Sequence, residues 1–74
     1  MTITIHNTTT TTTVNGVPAR VWEGYTDSGI PVVCLITRVA VPNGYPTEQF
    51  ERELLEQSPP RPELSDAFPP RIVL

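Results

Sequence analysis

Asn15-Gly16 is the dipeptide that most constrains how this chain can fold. A two-residue type I′ turn needs positive φ at both central positions, which asparagine and glycine tolerate and most other residues do not. Both flanks suit strands. Residues 1–14, "MTITIHNTTTTTTV", alternate Thr and Ile and then run through six threonines with high β propensity. The turn predicts a hairpin joining this threonine-rich segment to a second strand, Val17 to Tyr25. Residues 1–14 also admit two other readings, a fold back near His6 and Asn7 or a frayed arm.

Thr26-Asp27-Ser28-Gly29 fits a three-residue loop, a type I turn followed by Gly29 in the left-handed position. A third strand is then predicted over Ile30 to Val41, the longest of the set. Pro18 and Pro31 lie near strand ends, where a missing amide donor is tolerated. Pro42-Asn43-Gly44-Tyr45-Pro46 breaks the pattern. "TEQFERELLEQ", residues 47–57, then reads as a short helix with Thr47 as N-cap and Phe50, Leu54 and Leu55 on one face. Beyond Ser58 five prolines forbid regular helix and suggest an extended tail, 58–74, whose final Arg71-Ile72-Val73-Leu74 could add an edge strand. The fold class expected is mainly β with one short helix, a small α+β domain of antiparallel hairpins spanning residues 1–74.

With 74 residues and an apolar fraction of 38 %, the core is small and needs a supplement. Cys34 has no partner for an internal disulfide and His6 has no companions at metal-ligand spacing, so neither staple is available. A homo-oligomer is the expected remedy. Net charge of −3 disfavours nucleic acid and anionic lipid as partners. The longest strongly apolar run, Val32 to Ile36, is too short to span a bilayer, and the N-terminus lacks the features of a signal peptide. These features lead us to expect a cytoplasmic protein.

In the register set by the Thr26–Gly29 loop, Thr26 pairs with Ile30 and Arg20 faces Ile36. Ala19, Val21, Glu23 and Tyr25 then share a mostly apolar face with Val33, Leu35, Thr37, Val39 and Val41. The opposite face carries Arg20, Trp22, Val32, Cys34, Ile36, Arg38 and Ala40, with Arg20 and Arg38 as diagonal neighbours. Two guanidiniums on one face repel unless an anion lies between them, and an indole offers a flat surface to a ring. Arg20, Trp22, Arg38 and nearby Thr37 are therefore the candidate ligand-binding residues, for a phosphate-bearing molecule with a base attached. Carboxylates of the helix, Glu48, Glu51, Glu53 or Glu56, could equally neutralise the arginines. A one-residue slip would dissolve the cluster altogether.

Catalysis finds little support. A hydrolytic site needs nucleophile, base and orienter, and a lone mid-strand cysteine is more often a small core hydrophobe. There is no phosphate loop or dinucleotide fingerprint. No catalytic residue, metal or cofactor is assigned, and the chain reads as a non-enzymatic binder.

The stretch Pro18-Ala19-Arg20-Val21-Trp22-Glu23-Gly24, with Thr26, Ser28-Gly29-Ile30-Pro31 and Ile36-Thr37-Arg38-Val39-Ala40-Val41, resembles short accessory proteins encoded in phages and prophages of Gram-negative bacteria. It spans roughly a third of the chain. The resemblance implies action by binding in the host cytoplasm against host defence, and it carries no active-site residue across. Two modes follow. One is a sponge in which Arg20, Trp22, Thr37 and Arg38 sequester a signalling nucleotide. The other is an inhibitor of a host defence protein, such as a CRISPR effector or nuclease, covering a basic surface with Glu48, Glu51, Glu53 and Glu56 or the proline-rich tail. A virion structural or assembly role is a third.

Overall fold

The structure, a computed structural model, describes residues 1–62 and 73. It is mainly β. Strands β1 (Ile3–Val14), β2 (Val17–Thr26) and β3 (Pro31–Ile36) form one antiparallel sheet in the order β1-β2-β3, followed by helix α1 (Thr47–Leu54).

Both turns form as their residues dictate. Asn15 and Gly16 take φ of 50° and 80°, so Val14 pairs with Val17. Gly29 takes φ of 88°, and the Thr26 N–H donates to the Ile30 carbonyl at 2.9 Å. That bond sets the β2–β3 register, with Trp22 opposite Cys34 and Arg20 opposite Ile36.

Residues 1–14 neither fold back nor fray. β1 is the longest element, interrupted once: Asn7 pairs with Trp22 and Thr11 with Arg20, leaving Thr8, Thr9 and Thr10 opposite Val21 alone. This bulge turns main-chain groups outward to receive Ser58, whose N–H donates to the Asn7 carbonyl at 3.2 Å and whose carbonyl accepts from Thr9 N–H at 3.0 Å. Inside the bulge the fully buried Thr8 hydroxyl donates to the Val21 carbonyl at 2.6 Å.

The third strand is shorter than its sequence suggests, ending at Ile36 and not Val41. Pro18 supplies a reason. Bonded pairs alternate along an antiparallel ladder. Starting from Thr26 and Ile30, the even residues of β2 turn their amides toward β3. Position 18 is one of these, and proline has no hydrogen to give. The ladder stops before the pair it would make with Arg38, so Thr37 and Arg38 leave the sheet.

Helix α1 is also shorter than residues 47–57, and its N-cap is Pro46, without a side-chain capping bond, while Thr47 is already helical. Its last turn tightens: Leu55 N–H donates to Arg52 O and Glu56 N–H to Glu53 O. Pro59 then pushes Ser58 into extended backbone. None of the helix residues is fully buried. Among the described residues the buried apolar side chains are Ala19 and Val21, accompanied by Asn7, Thr8 and Glu23. The expected edge strand at 71–74 lies outside the described residues, apart from Val73, which is exposed.

Candidate functional site

β2 has two faces, and each carries charge. On the face of its even-numbered residues, Arg20 and Trp22 stand two positions apart. Because the chain bends away after Ile36, Thr37 and Arg38 fold over the same side, and the end of α1 with the residues just after it adds Leu54, Leu55 and Gln57 to the lining. Between them lies a cavity of about 290 Å³, lined by all four sequence-predicted ligand residues, Arg20, Trp22, Thr37 and Arg38. That volume sits at the lower edge of the roughly 300–1,000 Å³ typical of small-ligand sites.

The way Thr37 and Arg38 arrive differs from the sequence expectation. Strand alternation would put Thr37 on the apolar face and Arg38 within β3. In the structure both are exposed and lie beyond the strand, reaching the cavity through the bend that Pro18 permits. Val39, expected on the apolar face, lines the cavity as well and is 48 % exposed.

One arginine is partly engaged. An Arg20 Nη1–H donates to the Thr8 carbonyl at 3.3 Å, a contact that the bulge makes possible by tilting that carbonyl toward the cavity. The bond orients the guanidinium and leaves its other donors. Arg38 makes no ion pair or side-chain hydrogen bond among the described residues. Glu48, Glu51, Glu53 and Glu56 are all exposed, and among the described residues none forms an ion pair with either arginine. The helix C-terminus lends the cavity some partial negative charge. Asn7 offsets part of it, since its Nδ2–H donates to the Leu54 carbonyl at 2.8 Å and fixes the helix end to the sheet. Arg20 and Arg38 are the charged side chains of the lining, and both are positive.

The opposite face holds a cluster that sequence reasoning missed. Glu23 is 1 % exposed, and its two carboxylate oxygens each accept from the Arg61 backbone N–H at 3.2 Å. The Arg61 Nε and the His6 Nε2 each lie 3.5 Å from Glu23 Oε1, and the Arg61 guanidinium sits over the Tyr25 ring, 4.3 Å from its centre. Nη2 of Arg61 also donates to the Gly24 carbonyl at 3.4 Å. The signal was present in part: a carboxylate on an otherwise apolar strand face must find partners, because an unpaired buried charge costs several kcal/mol. Nothing in the spacing points to Arg61, 38 residues away between two prolines. Asn7, Ser58 and Arg61 together strap the segment that follows α1 across the sheet.

A second cavity, of about 430 Å³, lies between the 40–46 connection and α1, lined chiefly by Val41, Pro42, Tyr45, Pro46 and Phe50. Glu53 is its charged residue. It is mostly apolar and has no positive group to hold an anion. Among the described residues no group of three or more His, Cys, Asp or Glu could hold a metal, and no helix is long and apolar enough to cross a membrane. No protein family, curated protein or solved structure matches this chain.

Proposed function

We propose that this protein is a non-enzymatic binder that sequesters a phosphate-bearing molecule with a planar ring, a signalling nucleotide, in the cavity formed by Arg20, Trp22, Thr37 and Arg38. One observation carries the reading: two guanidiniums and an indole border a single cavity into which no carboxylate of the described residues reaches. Arginine offers phosphate a planar fork of donors, the Thr37 hydroxyl adds another, and indole stacks on a base. Such a site gives affinity without turnover. Set beside the resemblance to phage accessory proteins, it suits a counter-defence sponge working in the host cytoplasm.

Calorimetry with cyclic dinucleotides, cyclic mononucleotides and ADP-ribose tests the reading. Binding by the parent protein should weaken about 10- to 150-fold in Arg38→Ala, the equivalent of one charge-assisted hydrogen bond worth roughly 1.5–3 kcal/mol. No heat with any of these nucleotides refutes it.

A second reading rests on a different surface. Glu48, Glu51, Glu53 and Glu56 are all exposed, Leu54 and Leu55 beside them are 36 % and 76 % exposed, and no helix residue is fully buried. An acidic helix with an apolar flank suits a basic surface on a host defence protein. Charge reversal at Glu51 and Glu53 should release such a partner in a pull-down.

A further inference from the structure

The two edges of the sheet are finished differently. Along β1 the outer edge is interrupted by the bulge and capped at Ser58, which pairs with Thr8. The outer edge of β3 has no strand beside it among the described residues. Its six residues, Pro31-Val32-Val33-Cys34-Leu35-Ile36, contain no charge and no bulge. Monomeric proteins usually blunt such an edge with lysine, a bulge or an inward charge, since a flat apolar edge is a template for another strand.

We propose that β3 pairs with β3 of a second copy, antiparallel, about a two-fold axis at Cys34. The main chain selects this register. Thr26 and Ile30 form a bonded pair, and alternation then commits the amides and carbonyls of Val32, Cys34 and Ile36 to β2. Those of Val33 and Leu35 point outward. Placing Val33 opposite Leu35 of the second copy lets each pair exchange two hydrogen bonds, and symmetry repeats the exchange on the other side of the axis. Moving the axis to Val33 would set Pro31 opposite Leu35, where half of each exchange is missing for want of a proline N–H.

The outward groups of β3 therefore complement themselves, as an isologous contact requires. A foreign strand would find no charge on this edge to select it. A second copy also answers the shortage of core, since among the described residues the buried apolar side chains are Ala19 and Val21. The axis runs perpendicular to the sheet, so both Arg20–Arg38 cavities open on one face of a continuous sheet. The interface itself does not depend on what the cavities bind.

The register brings Cys34 of the two copies together as a non-bonded antiparallel pair. Cα atoms in such pairs lie about 4.5 Å apart, within the range a disulfide spans. The experiment uses the full chain, whose one cysteine is Cys34. Sedimentation velocity should show a dimer. Diamide should then join the copies through Cys34, each thiol giving up a proton and an electron as the added diamide is reduced to its hydrazine, in a yield that dilution within the dimeric range leaves unchanged.

Val33→Pro removes an outward donor that β2 does not use and should give a monomer. Cys34→Glu sets like charges face to face and should weaken the dimer about tenfold, with recovery in high salt. Circular dichroism and Trp22 fluorescence report whether each variant keeps its sheet. A parent protein monomeric at the highest concentration reached overturns the proposal, whether the edge is covered by its own tail or kept for a foreign strand. So does a dimer that fails to cross-link and ignores both substitutions.

Discussion

Glu23→Gln is the most direct probe of how the segment after α1 is held. The substitution keeps the shape of the side chain and one of its two oxygens. It removes the charge that faces the Arg61 backbone N–H at 3.2 Å and the Arg61 Nε at 3.5 Å, and it turns an amide donor toward groups that are themselves donors. The single shared N–H counts once, and a hydrogen bond to a charged group contributes about 1.5–3 kcal/mol. His6 is 56 % exposed and adds little, because solvent screens it. The expected loss is about 2–3 kcal/mol, and at roughly 4–8 °C per kcal/mol for a domain of this size the melting temperature should fall by about 8–24 °C. Thermal circular dichroism measures that shift. Hydrogen exchange at the Ser58 and Thr9 amides, which bond to Asn7 O and Ser58 O, shows where the structure opens first. A variant melting within about 3 °C of the parent, with both amides still protected, would refute the view that a buried carboxylate fastens this segment.

Further outcomes follow from single contacts. A Cβ at Gly24 would meet the Thr4 carbonyl group and lie 2.8 Å from Ile5 Cα, so Gly24→Ala should pry β1 from β2 and cost about 3 kcal/mol or more, read in a urea melt. Thr8→Val should cost about 1–2 kcal/mol, since the buried Val21 carbonyl loses its donor; an unchanged urea midpoint counts against that bond. Trp22→Ala should weaken nucleotide binding about 5- to 150-fold through lost stacking, with the reaction stoichiometry unaltered in calorimetry. Pro18→Val restores an amide facing the position of Arg38; exchange protection at residue 18 and a lengthened β3 are expected, together with weaker nucleotide binding as Arg38 is drawn into the sheet.

Local rules made much of this legible. Asn15-Gly16 and Gly29 are turn residues whose chemistry is complete within a few positions, and they carry with them the β2–β3 register and the β1–β2 register from Thr11 to the turn. Alternation from those registers put Arg20 and Trp22 on one face and Ala19, Val21 and Glu23 on the other. What escaped depends on distance along the chain. The bulge at Thr8–Thr10 is hidden because six identical threonines offer no pattern against which two surplus residues show. The early end of β3 is decided by Pro18 on the neighbouring strand, and propensity within residues 30–41 carries no trace of it. Arg61 reaches Glu23 only once the segment after α1 has crossed the sheet, so no spacing rule links them.

The threonine bulge has a consequence that regularity alone would miss. Excising two of its residues would leave Asn7 and Thr11 as next-but-one neighbours, matching Trp22 and Arg20 step for step in an unbroken ladder. That tidier strand would be a poorer anchor. Its outward notch for Ser58 would close and the Thr8 carbonyl would no longer accept from Arg20, so the cavity between Arg20 and Arg38 would lose its footing as the sheet gained order. Here the imperfection in the strand is the hinge-pin on which residues 55 to 61 hang.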